Sequence, residues 1–67
     1  MRNEMIETLK AHAIGNIKKH KMNVEVYFKN PVGIGEHPDI MDAIEKELDL
    51  ISHYHDQLEV LEKYFNK

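Results

Sequence analysis

Five histidines in 67 residues are the side chains here best suited to chemistry, because an imidazole can ligate a metal or titrate near neutrality. Their spacing works against a shared ion. On a helix His53 and His55 point about 200° apart, while His12 and His20 sit two turns apart, about 12 Å along the axis. Asp49 and His53 form the close couple at i, i+4, and one couple falls short of the ligands a metal site needs. The histidines therefore read as surface and boundary residues. Thr8 and Ser52 are the available hydroxyl nucleophiles, and neither has a base and an orienting group at a recognisable spacing. Gly33-Ile34-Gly35 lacks the Lys-Ser/Thr and the preceding strand of a phosphate cradle, so it reads as a turn. Lys18-Lys19-His20-Lys21 has no interleaved aromatics, and a helix would spread it around its circumference as a solvated face. The chain is expected to be non-enzymatic and to need no cofactor.

These residues must be positioned by two long helices. Ile6, Leu9, Ala13, Ile17, Val24 and Phe28 recur at steps of three, four or seven, with His20 and Lys21 filling the gap, which is one helical face. Downstream, Ile44, Ile51, Leu58 and Phe65 repeat every seven, flanked by Ile40, Met41, Leu48, Tyr54, His55 and Leu61. Between them lies a stretch rich in helix breakers: Asn30-Pro31 ends the first helix and Gly33 and Gly35 permit reversal. Pro38 suits the first turn of the second helix. The spacing predicts a single all-α domain over residues 1–67: a helix over about 3–29, a loop over about 30–37 and a helix over about 38–65, folded back as an antiparallel hairpin. The alternation of β-branched and aromatic residues over 23–28 leaves one alternative, an α+β fold with a short intermolecular strand there.

Folding about residue 34 sets Val24 near Ile44, Ile17 near Ile51 and Ala13 near His55. It also brings His12, Asn16 and His55 to similar height beside Gly15, a candidate polar layer with His55 at least partly buried. Gly15 is expected to admit a close backbone neighbour. The second stripe is wider than one partner helix covers, since it spans the a, d and e positions of a heptad. A second copy forming an antiparallel four-helix bundle is the simplest cover. Ile17, Val24, Phe28, Ile44, Leu48, Ile51, Leu58 and Phe65 are the expected self-association residues. The apolar Val32 and Ile34 at the hairpin tip are a candidate partner-facing loop.

Composition agrees with a small interaction module. There is no cysteine, so neither disulfides nor thiolate metal sites supplement a core that a chain this short makes small. Residues 1–30 hold six Lys/Arg against three Glu, and residues 38–67 hold eight Asp/Glu against three Lys, which favours pairing of the two halves and argues against nucleic-acid binding. No apolar run matches a signal peptide or a membrane span, so a cytoplasmic location is expected.

Over Asn30-Pro31-Val32-Gly33-Ile34-Gly35-Glu36-His37-Pro38-Asp39-Ile40-Met41, and on through Ala43-Ile44-Glu45-Lys46-Glu47-Leu48, the chain resembles small uncharacterised proteins encoded by tailed phages of marine bacteria. The resemblance also touches Ala11-His12-Ala13-Ile14-Gly15. It implies a bacterial host, with action in the infected cell or as a minor particle component, and it carries no activity and no functional residue. The expected function is thus a self-associating helical interaction or structural module. One alternative is a small regulator docking onto a host or phage protein through its apolar stripe or the 32–34 tip. A second is weak metal or phosphate binding through the histidines and the basic run.

Overall fold

The computed structural model describes residues 1–29 and 39–66. Helix α1 spans Arg2–Lys29 and helix α2 spans Asp39–Tyr64, and they pack against each other as an antiparallel hairpin. The two ranges fall within a residue of those that spacing predicts. No strand occurs among the described residues, and 23–28 belong to α1. A lone strand would have left its backbone groups without a ladder, whereas the helix satisfies them internally. Residues Asn30 to Pro38, where the loop and the partner-facing Val32 and Ile34 are expected, lie outside the described residues.

The contact between the helices is a regular seam of alternating four- and three-residue steps. On α1 it comprises Ile6, Lys10, Ala13, Ile17, His20, Val24 and Tyr27; on α2 it comprises Ile40, Ile44, Glu47, Ile51, Tyr54, Leu58 and Leu61, all buried or half-buried. Four expectations shift by one position. Lys10 replaces Leu9 in the seam, Tyr27 replaces Phe28, Glu47 replaces Leu48, and of Tyr54 and His55 it is Tyr54 that faces inward while His55 is exposed. In each pair the neighbours stand about 100° apart on the helix, so only one can face inward, and the strict four-three step selects which.

Charged groups close the end where the chain termini meet. Arg2 Nη2 donates to the Phe65 carbonyl at 3.5 Å and Lys10 Nζ to Asn66 Oδ1 at 3.1 Å, placing two cations at the negative end of α2. Lys10 thereby lays its methylene stem along the seam while its ammonium reaches solvent.

The hairpin is one layer thick, 50 × 15 × 13 Å across its Cα atoms. Ala13, His20 and Val24 are its only buried residues among those described, and α2 has none. Gly15 faces open space: a Cβ added there would meet nothing within 4 Å, so it serves no close approach. No described helix is long and apolar enough to cross a membrane.

Candidate functional site

Midway along the seam the two helices meet through polar side chains. His20, 8% exposed, lies with Nδ1 2.7 Å from Glu47 Oε1, and Asn23 Nδ2 donates to the same oxygen at 3.0 Å. The Asn23 bond, followed by the His20 bond and by attraction to His20 and Lys19, holds the Glu47 carboxyl below the usual carboxylate range against the opposing effect of burial. No buried side-chain nitrogen or oxygen among the described residues is left without a partner.

Tyr54 anchors one side of this polar node. Its ring stacks nearly parallel to His20 at 6.3 Å and lies T-shaped to the rings of His12 at 5.6 Å and His53 at 5.0 Å. Of the expected layer of His12, Asn16 and His55, His12 and Asn16 meet as i, i+4 neighbours on α1, and His55 is not joined to them. Asn16 Nδ2 lies 3.3 Å from His12 Nε2 and donates to the His12 carbonyl at 2.9 Å, but the α2 member is Tyr54, and His55 points to solvent. His20, Asn23 and Glu47, which a search for apolar periodicity passes over, form the polar contact of the seam, with His20 buried and Asn23 and Glu47 half-buried. Their signal was the interruption of the apolar stripe at the same height on both helices.

The two hydroxyl nucleophiles that the sequence offers lie apart from this node. Thr8 Oγ1 is bonded to the Glu4 carbonyl at 2.8 Å, and Ser52 is exposed. Asp49 and His53, the couple that spacing singles out, take no part in the one group of metal-ligating atoms among the described residues. That group is His55, Asp56 and Glu59, whose ligand atoms lie within 4.8 Å of one another on the outer face of α2. His55 and Glu59 are also an i, i+4 pair, the signal that would have found them. All three are exposed, and one imidazole with two hydrated carboxylates is a weak starting set for an ion.

The eight residues expected to self-associate divide into two sets. Ile17, Val24, Ile44, Ile51 and Leu58 lie in the seam of the hairpin, while Phe28, Leu48 and Phe65 are exposed. Phe28 and Leu48 belong to a row that follows the seam on both helices: Glu7, Ile14, Lys21 and Phe28 on α1, Met41, Leu48, His55 and Glu62 on α2. In an antiparallel pair these heptad e positions share one flank, and every one of them is exposed. The row grades from apolar at the connected end, with Phe28 63% and Met41 67% exposed, to acidic at the termini end. The opposite flank is partly closed by the half-buried Asn16, Asn23 and Ala43. Toward the termini it opens into a groove of about 430 Å³ lined by Leu9, Val60 and Leu61, with His12, His53 and Asp56 at its edge.

No protein-family model, curated protein or solved structure matches this chain.

Proposed function

We propose that the chain is a non-enzymatic, self-associating helical module whose second copy covers the flank of Ile14, Phe28, Met41 and Leu48, giving a four-helix bundle. One observation carries this reading: two helices of 28 and 26 residues bury three side chains between them, while that whole flank stays in water. A single layer of helices has no second surface to close its core, and so small a core leaves little net stability without a partner. The resemblance to phage proteins would set this assembly in an infected bacterial cell.

A second reading, a small regulator that docks onto another protein, is favoured by the groove of Leu9, Val60 and Leu61. Light scattering during size-exclusion chromatography, with circular dichroism over a dilution series, separates the two. Self-association predicts twice the chain mass and helicity that falls on dilution. A well-folded monomer at every concentration overturns it, and a poorly folded monomer overturns it in favour of docking.

A further inference from the structure

We propose that the two copies lie with their connected ends side by side, α1 of each protomer packed against α2 of the other, an arrangement that rests on self-association through the Phe28 flank. Two twofold arrangements can bring that flank face to face. With the axis along the helices, α1 meets the partner's α2 and residues keep their height. With the axis across the helices, α1 meets the partner's α1, α2 meets the partner's α2, and heights are inverted.

Charge separates them. Helix α1 carries six Lys/Arg against three Glu, and α2 carries two Lys against eight Asp/Glu. The axial arrangement sets a basic helix on an acidic one at both contacts. The transverse one sets α2 on α2, aligning Glu45 with Glu59 of the other copy at two equivalent places, and like charges at such contacts are costly. The gradient along the flank points the same way. Equal heights put Phe28 and Met41 of both copies into one apolar cluster with Leu48 beside it, whereas inverted heights, centred on the hairpin, set Phe28 against Glu7 and Met41 against Glu62. The axial arrangement does gather Glu7 and Glu62 of both copies at the termini end. There the row lies furthest from the apolar cluster.

The chain has no cysteine, so one introduced residue carries one label. Asp42 and Lys63 are exposed and lie near opposite ends of α2, outside the seam and the Phe28 flank. Spin labels on Asp42→Cys and, separately, on Lys63→Cys are to be measured by pulsed dipolar spectroscopy at concentrations where light scattering gives the mass of the protein. From the 1.5 Å rise per residue, side-by-side connected ends predict about 30 Å or less for both labels, and opposed ends predict about 40 Å or more for Lys63→Cys. A dimer with the long Lys63→Cys distance overturns this arrangement and leaves self-association standing. A monomer mass with no dipolar signal overturns both.

Discussion

His20 Nδ1 lies 2.7 Å from Glu47 Oε1, and the pair joins the two helices at steps of the seam where apolar side chains would complete it. Side chains there are 10% and 16% exposed, so each partner has surrendered most of its water and depends on the other. The pair also fixes register, because sliding α2 by one turn would leave His20 and Glu47 facing apolar neighbours.

This dependence predicts a non-additive mutational cycle. His20→Leu and Glu47→Leu should each cost about 1–3 kcal/mol, since each strands a buried polar group. The double variant should recover most of that loss, as an apolar pair replaces the polar one. Thermal melts at one protein concentration test it. Single effects that simply add in the double variant would show that the two side chains are not coupled.

Glu47 also makes stability depend on pH in a defined direction. Its carboxyl is held below the ordinary value by Asn23 and His20, so in acid the folded state binds fewer protons at this site than the unfolded one. Its contribution is complete above the ordinary carboxylate range and disappears as pH falls through the lowered folded value. Glu47→Gln should therefore flatten the acid limb of a plot of melting temperature against pH while changing the neutral plateau less. An acid limb identical in both proteins would assign the loss to other carboxylates.

The hairpin was legible in the sequence because its two determinants, breakers in the middle and three-four apolar spacing on either side, are local. Register was nearly so: folding about residue 34 pairs Val24 with Ile44 and Ile17 with Ile51, and the observed pairs His20 with Glu47 and Arg2 with Phe65 share almost the same midpoint. Less legible was which of two adjacent bulky residues turns inward. Tyr27 and Phe28, or Tyr54 and His55, offer similar types at neighbouring angles, and the choice depends on the phase of the whole seam. The polar node was hidden for another reason. Histidine and glutamate become seam residues only when they face each other, a fact held by neither helix alone.

Tyr54 and His55 give that phase a direct test. Tyr54→Ala removes the ring that contacts His12, His20 and His53 and should destabilise by about 1–3 kcal/mol, below the cost at a fully buried aromatic. His55→Ala, on the exposed side, should change stability by less than about 0.5 kcal/mol. Denaturant titrations of the two variants side by side decide it, and a larger loss from His55→Ala than from Tyr54→Ala, with the mass from light scattering unchanged, would require the seam to be rephased by one residue.

Gly15 offers a stabilising substitution. It lies inside α1 with open space where a Cβ would stand, so alanine adds helix propensity without a clash. Gly15→Ala should raise stability by about 1 kcal/mol with no change in oligomeric mass. A loss of stability would mean that another molecule approaches the α1 backbone at that point.

The Phe28 flank allows assembly to be broken without breaking the fold. Leu58→Asp cannot do this, because Leu58 is a half-buried seam residue and a carboxylate there disrupts the hairpin itself. Phe28 and Met41 are 63% and 67% exposed within the hairpin, so glutamine at both removes little intramolecular packing and retains good helix propensity. If a second copy buries them, the loss of about 1.5–3 kcal/mol for each fully covered side chain should weaken dimerisation by at least about 100-fold, at 1.4 kcal/mol per tenfold. Sedimentation of Phe28→Gln/Met41→Gln is expected to give a monomer where the parent is a dimer, and its melting temperature should lose the concentration dependence that coupled folding and association impose. The same dimer mass and affinity in the variant would remove this flank from the interface.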